Sequence, residues 1–191
     1  SYEKNNEFGV ISRSINQMAD KVVADAQLSN KIVNVNYVLM SQVESEEFYI
    51  NVLSTLMEQT DSILGVIYLK DESTQSFKYK RSIGANNGLL RDFDCEAYDN
   101  EFGLTLANKK INIADYSQSA DFKYNALGLN LIPNQMMTIP LIVNDEVDAL
   151  IVLATLNRYL PHDNSLVERL LPTLSARLAS VVAYEKIVTY K

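Results

Sequence analysis

The sequence predicts an α+β domain in which helices cover one face of an antiparallel sheet. Three observations lead to this fold class: two strand hairpins lie in the middle of the chain, amphipathic helices stand at both ends, and the elements follow the order helix, helix, hairpin, strand, hairpin, helix. Helices segregated to one face of the sheet are the natural packing for this order. The 191 residues, 47% of them apolar, allow one domain of about 150 residues with an appendage.

The N-terminal segment has the repeat of a coiled coil. Apolar residues recur at alternating spacings of three and four over residues 8–22, and a second seam follows over residues 28–39. Neither Gly nor Pro occurs between Val10 and Gly65, so one long helix up to about Val43 is allowed. We expect a parallel homodimer along this seam, which consists of Phe8, Ile11, Ile15, Met18, Val22, Leu28, Ile32, Val35 and Leu39.

The two halves of this seam do not share one heptad register. Joining them puts Asp25 at a core position and forces consecutive spacings of three, which predicts a stammer near Asp25 and Ala26. Such a register break could hold two alternative packings. Packing onto its own domain is the alternative for the second half, because a long amphipathic helix needs a partner for its apolar stripe.

A shorter helix and the first hairpin come next. Residues 46–57 have helical periodicity, and residues 62–69 form a continuous apolar run that is typical of a strand buried on both faces. The polar cluster at residues 71–75 turns this strand into another at residues 77–82. Apolar and charged residues alternate in the second strand, so we expect one face of the hairpin to be wet.

The remaining elements are a short strand, a second hairpin and a long helix. Residues 84–103 are irregular and acidic, residues 110–114 predict a strand, and residues 116–133 predict a polar loop with a short helix at 123–127. Strands at 135–143 and 147–155 meet at a turn of Asn144 and Asp145. The last helix begins with a capping box of Ser165 and Glu168, and Pro172 should kink or restart it.

The composition excludes several classes of partner. A net charge of -7 without any Lys/Arg cluster leaves nothing to neutralise nucleic acid or an anionic lipid surface.

The single cysteine, Cys95, cannot form an internal disulfide, which fits a reducing compartment. The most apolar stretch, residues 147–156, is shorter than the roughly 20 residues that span a bilayer. The N-terminus does not have the pattern of a signal peptide. We therefore expect a cytoplasmic location.

The N-terminal helix resembles part of a HAMP domain. Asn-Glu-Phe-Gly at residues 6–9 and Ile-Asn-Gln-Met-Ala at residues 15–19 are similar to the second HAMP helix, which has an acidic residue, an apolar residue, Gly and then an apolar-Asn-x-Met stretch. This resemblance implies a membrane-anchored parent protein. We assign residues 1–22 to a partial HAMP-like helix and residues 23–45 to a connecting signalling helix.

Residues 46–188 resemble a GAF domain. The resemblance lies in the order of elements, in Gly103 and the stretch 109–115, and in Pro140-Leu141, the Asn144/Asp145 turn and the final helix. Ala149 departs from the pattern, because the family usually has glycine there. The resemblance implies a six-stranded antiparallel sheet with helices behind it and a small-molecule pocket on the other face. Cyclic nucleotides, tetrapyrroles, haem and metabolites are ligands of this family, and some members bind nothing and only dimerise.

The same resemblance suggests where a pocket would lie. Its walls would come from aromatic and polar residues of the irregular segments, and its floor from the facing strand. These residues are Tyr98, Phe102, Tyr116, Phe122, Tyr124 and Asn125 for the walls, with Met136 and Thr138 for the floor. A cavity plugged by these aromatic side chains is the alternative, since apolar walls with a few polar groups describe a pocket and a core alike.

Familiar catalytic and cofactor patterns are weak or missing in this sequence. Cys95 and the only histidine, His162, have no spacing that brings them together, and Glu96 stands where the bilin-attachment pattern has His. The acidic run of residues 92–101 has Ala97 where a calcium loop needs Gly. The cyclic-nucleotide signature matches poorly. We therefore expect no enzymatic activity and no metal site, and the cofactor, if the domain has one, stays unknown.

These observations predict the cytoplasmic sensory domain of an inner-membrane signalling protein, with any membrane segment outside this chain. The domain would bind a small molecule and relay the signal through dimeric terminal helices. A ligand-free GAF-fold module for dimerisation and relay is the alternative.

Overall fold

The computed structural model describes residues 7–41, 45–85, 90–99, 101–116, 124–126 and 129–189. Four helices lie within these residues: α1 (Glu7–Met40), α2 (Ser45–Gln59), α3 (Gly103–Asn108) and α4 (Pro161–Thr189). The strands are β1 (Leu64–Asp71), β2 (Ser76–Ile83), β3 (Phe93–Asp94), β4 (Asn112–Asp115), β5 (Tyr124–Ala126), β6 (Leu129–Leu131), β7 (Gln135–Val143) and β8 (Glu146–Thr155).

Six strands form one antiparallel sheet in the order β3-β2-β1-β8-β7-β4. Both predicted hairpins, β1-β2 and β7-β8, are present, and the α+β class with a six-stranded antiparallel sheet is confirmed. β5 and β6 pair separately as a small hairpin. The prediction of a short helix at residues 123–127 is wrong, because the backbone of residues 124–126 forms a strand that pairs with residues 129–131.

One face of the sheet, called the helix face here, packs against α1, α2 and α4. Residues that alternate along β7 and β8 point into this core, which also contains the buried sides of the three helices. Tyr49 of α2 and Leu39 of α1 are fully buried in it. The opposite face, called the distal face here, has its own apolar cluster and carries α3.

The second half of the predicted dimer seam belongs to the helix-face core. Leu28, Val35 and Leu39 are buried, and Ile32 packs against the same cluster, because α1 contacts α2 and α4 of its own chain here. These side chains are therefore covered within the domain, as the alternative for this half proposed. The stammer near Asp25 loses its basis with them, since it assumed that both seams face the same partner.

The first half of α1 makes no comparable contact with the domain. The five seam residues from Phe8 to Val22 are all exposed, and Phe8 is 80% exposed. At 1.5 Å per residue, the segment before Leu28 projects about 30 Å beyond the domain. An isolated helix of this length is marginal in water, so this segment needs a partner for its apolar stripe.

α1 and α4 run side by side in the same direction. Near the start of α4, Lys31 Nζ lies 3.9 Å from the Asp163 carboxylate. About fourteen residues further along α4, Arg177 Nε donates a hydrogen bond of 2.7 Å to the Leu39 carbonyl, and its Nη2 donates to the Ser41 carbonyl at 3.2 Å. α1 therefore enters at one end of the domain, and α4 leaves at the other.

The last helix differs in detail from its prediction. It begins at Pro161, one turn before the expected capping box, and Asp163 caps it by accepting the Leu160 backbone N–H through Oδ2 at 2.8 Å. Proline is well suited to the first position of a helix. Pro172 lies inside α4, but the helix continues through it to Thr189.

A bulge in β2 places two cations together on the helix face. The register between β1 and β2 shifts so that no residue of β1 lies opposite Lys80. Both Lys80 and Arg81 therefore point towards the helices. Lys80 Nζ lies 3.2 Å from both Glu46 of α2 and Glu185 of α4, and Arg81 also pairs with Glu46. The buried Tyr49 donates its hydroxyl to Glu185 at 3.0 Å. This ion cluster attaches the end of α4 to the sheet.

Candidate functional site

The strand registers determine which residues form the distal face. Thr138, Val152 and Val66 lie opposite one another in three neighbouring strands, and Met136, Ala154 and Leu64 form the next row. Directly opposed residues point to the same face of a sheet. Five of these six side chains belong to the distal cluster, and Thr138, which shares their face, is also buried.

An aromatic group fills the part of the distal face above β1, β2 and β3. Phe93 lies at its centre, with ring centroids 5.1 Å from Tyr68, 5.3 Å from Phe77 and 4.9 Å from Phe102. Tyr68 and Phe102 are themselves 5.7 Å apart. Such distances are those of favourable aromatic pairs. On this side of the face the rings occupy the space that a ligand would need.

The other part of the face, above β4 and β7, has a different character. Asn112 pairs with Thr138 and Ala114 pairs with Met136, so polar and apolar side chains alternate on the floor here. α3 contacts β7 from above, and Thr105 of α3 is fully buried. Within the described part of the chain, the hydroxyl oxygen of Thr105 has no hydrogen-bond partner.

Two tyrosines of the distal face lie near carboxylates. Burial, with the charges of Glu101 and Asp92 as smaller causes, raises the pKa of Tyr68 to about 12. Burial also raises the pKa of Tyr116, and Glu101 adds to the effect. Both tyrosines therefore stay neutral at physiological pH and can donate hydrogen bonds. Asp92 is used structurally, since its Oδ1 accepts the Tyr79 backbone N–H at 2.9 Å.

The structure brings together four of the eight residues predicted for the pocket. Phe102 and Met136 lie in the distal cluster, Thr138 is buried on the same face and Tyr116 packs against the cluster's margin. Tyr98 does not join them, because it lies in a turn and its side chain is 57% exposed. Phe122 lies outside the described residues, as do the side chains of Tyr124 and Asn125 in β5.

Sequence reasoning missed three aromatic residues of the face: Tyr68, Phe77 and Phe93. One signal for them was present. Phe77 alternates with polar neighbours in β2, and Tyr68 lies in an apolar run that is typical of a strand buried on both faces. The alternation identifies a buried side of β2, but only the register decides that this side is the distal one.

The residues considered for catalysis are far apart in the fold. Cys95 packs against the distal cluster, where burial raises the pKa of its thiol, and His162 is exposed at the start of α4, 3.4 Å from Asp163. A thiol with a raised pKa is a poor nucleophile.

In the described ranges, no group of three or more His, Cys, Asp or Glu side chains is arranged to hold a metal ion. None of the helices in these ranges has the length and apolarity required to cross a bilayer.

Comparisons with known proteins identify the fold. No family model matches the chain, and no curated protein matches it. Among solved structures, the GAF domain of a phosphoenolpyruvate-protein phosphotransferase from Coxiella burnetii is similar with a TM-score of 0.69 and 15% identity, over 84% of this chain and 98% of that one. The GAF domain of the corresponding Acinetobacter protein has a TM-score of 0.62 and 19% identity, over 83% and 93% of the two chains.

A third similar structure is an enzyme. The free methionine-R-sulfoxide reductase of Neisseria meningitidis, determined with its substrate, has a TM-score of 0.64 and 11% identity, over 82% of this chain and 91% of that chain. The protein therefore has the GAF-domain fold, as its element order predicted. At these identities the likeness establishes the fold alone.

Proposed function

We propose that this chain is the sensory or regulatory domain of a bacterial signalling protein and that it passes a signal from α1 to α4. The observation that carries this proposal is the parallel contact of the two helices, which enter and leave at opposite ends of the domain. A change in their packing alters both ends at once. The distal face has a separate cluster beneath irregular segments, so it can change without disrupting the helix core.

A small molecule would act on the β4–β7 part of the distal face. The aromatic group already fills the β1–β3 part, whereas Thr138, Met136 and Tyr116 line a more polar region below α3. The neutral hydroxyl of Tyr116 and the buried hydroxyl of Thr105 are suitable donors for such a ligand. No catalytic role is proposed, because Cys95 and His162 lie in separate parts of the fold.

The ligand-free relay remains the second candidate, and the packed rings favour it. Tyr68, Phe93 and Phe102 already fill the β1–β3 part of the distal face. In this candidate the rest of the face is filled by side chains as well, and the GAF fold serves only to dimerise and to connect α1 with α4. The two candidates differ in whether any metabolite stabilises the domain.

A thermal-shift screen of metabolites separates the two candidates. A ligand at a hundred times its Kd stabilises the folded state by about 2.7 kcal/mol, or roughly 5 to 10 °C in a domain of this size. Thr138→Leu should abolish the ligand-induced rise in Tm, because the larger side chain would fill the space above β7. Ile113→Leu, on the helix side of β4, is the control and should retain the rise. If no metabolite raises the Tm of the wild type, the sensor proposal fails and the ligand-free relay stands.

The wider setting is proposed from the HAMP-like pattern of residues 6–19. We place the domain on the cytoplasmic side of the inner membrane, in a homodimeric receptor whose membrane segments lie outside this chain. A methyl-accepting chemotaxis protein fragment is among the similar structures, with a TM-score of 0.58 and 10% identity, over 81% of this chain and 99% of that chain. Determining the full-length gene product tests this placement, since membrane spans must precede residue 1.

A further inference from the structure

Eight of the ten large apolar residues that α1 exposes lie on one straight stripe from Phe8 to Met40, and Val10 and Val23 lie off it. A helix turns about 100° per residue, so Val33, Tyr37 and Met40 lie within about 40° of the line through Ile15. The residues Phe8, Ile11, Met18 and Val22 lie within about 60° of the same line. The buried residues Leu28, Val35 and Leu39 point about 120 to 160° away, which agrees with their place in the core.

The exposures agree with this geometry in the half of α1 that packs on the domain. Val33, Tyr37 and Met40 are 64%, 80% and 71% exposed, while the intervening Val35 and Leu39 are buried. Between Val22 and Val33 the stripe passes over two small residues, Ala26 and Ser29, which permit close approach. Asp25 lies about 80° from the stripe, at its flank, where a charge can remain in water.

No charged residue lies on the stripe. All six charged residues of α1 point at least about 80° away from it: Glu7, Arg13, Asp20, Lys21, Asp25 and Lys31. Depletion of charge is the compositional mark of an interface core. An uncharged stripe can also face its own copy without repulsion, although the chain as a whole carries a net charge of -7.

The area of the stripe suits a stable dimer. Its eight large apolar residues expose roughly 100 Å² each, or about 800 Å² in total, which is the area that one partner contributes to an interface of standard size. The end of α4 also exposes Tyr184, Ile187 and Val188.

We propose that a second copy of this chain pairs in parallel along the whole of α1, along one continuous apolar stripe from Phe8 to Met40. This inference rests on the homodimer of the proposed function, and it adds that the interface extends onto the sensory domain itself through Val33, Tyr37 and Met40. A continuous stripe keeps Asp25 at the flank of the dimer axis, so no stammer is needed there.

Disulfide cross-linking of single-cysteine variants tests the register. In a Cys95→Ala background, Ile15→Cys and Tyr37→Cys should each form a covalent dimer under mild oxidation, because parallel pairing brings each position next to its own copy. Ala24→Cys and Asn34→Cys, which lie about 180° and 100° from the stripe, are the matched controls and should stay monomeric on the gel.

The outcomes separate this inference from the dimer it rests on. Cross-linking at Ile15 without cross-linking at Tyr37 would overturn the continuous stripe and leave the dimer intact. Failure at both positions would overturn the parallel dimer as well. In sedimentation equilibrium, Tyr37→Lys should raise the dimer dissociation constant at least about tenfold relative to Asn34→Lys, since a charge would enter an apolar interface. Equal constants for these two variants would also contradict the inference.

Discussion

Arg177 holds the three packed helices together, and its removal should destabilise the domain strongly. The half-buried guanidinium donates to the carbonyls of Leu39 and Ser41 at 2.7 and 3.2 Å, and it lies 5.5 Å from the centroid of the Phe48 ring. It therefore satisfies carbonyl groups at the end of α1 that have no partner within that helix. Each charged hydrogen bond contributes about 1.5 kcal/mol or more, and the helix dipole and the ring each add about 0.5 kcal/mol.

Because these contributions are not additive, we expect Arg177→Ala to lower the free energy of unfolding by about 3 kcal/mol. The corresponding fall in Tm is roughly 6 to 12 °C for a domain of this size. Arg177→Lys should recover less than half, because an ammonium group cannot form the same fork of hydrogen bonds. Urea denaturation followed by circular dichroism measures both variants.

Arg169→Ala is the matched control, since Arg169 is exposed on the same helix and its loss should change stability by less than about 0.5 kcal/mol. The reasoning is refuted if Arg177→Ala is as stable as this control.

Two further predictions concern a glycine and a buried tyrosine. Gly103→Ala should destabilise the domain by more than about 2 kcal/mol in urea denaturation, because its Cβ would lie 2.0 Å from the backbone oxygen of Tyr98. Gly65→Ala should cost less, since its Cβ would meet the flexible side chain of Met57 at 2.9 Å; equal losses would contradict this difference. Tyr68 has a pKa raised to about 12 in the folded state, so the unfolded chain loses this proton first, near pH 10, and stability falls as pH rises above that value. Between pH 10 and 12, the free energy of unfolding should therefore fall less steeply with pH in Tyr68→Phe than in the wild type, by about 1.4 kcal/mol per pH unit. Equal slopes in the two proteins would contradict this prediction.

Local patterns were sufficient to predict most of the sheet. The period of two in β2 and the turn residues Asn144 and Asp145 identify hairpins whose partners are close in sequence, and both central turn residues do adopt positive φ angles of 49° and 64°. The β5–β6 hairpin was missed because its strands have only three residues each, too few for a period to be recognised. The start of α4 was misplaced because two residues with capping side chains, Asp163 and Ser165, lie two positions apart.

The candidate site was harder to predict than the fold. Phe102, Met136 and Thr138 were expected on the distal face and lie there, but Phe93 was not expected. Its position depends on a two-residue pairing between β3 and β2, which lie on either side of an irregular segment. No local period indicates such a contact.

The sequence by itself determined the length of α1 and the presence of two apolar seams on it, because helix periodicity is a local property of the chain. Only the tertiary structure decided which seam faces which partner. The seam from Leu28 to Leu39 packs against α2 and α4, whereas the seam from Phe8 remains uncovered. A sequence pattern shows that an apolar side must be buried, but part of the burying surface is α4, which lies more than a hundred positions away. Arg177, whose contacts with Leu39 and Ser41 lie beyond any local pattern, follows the same rule.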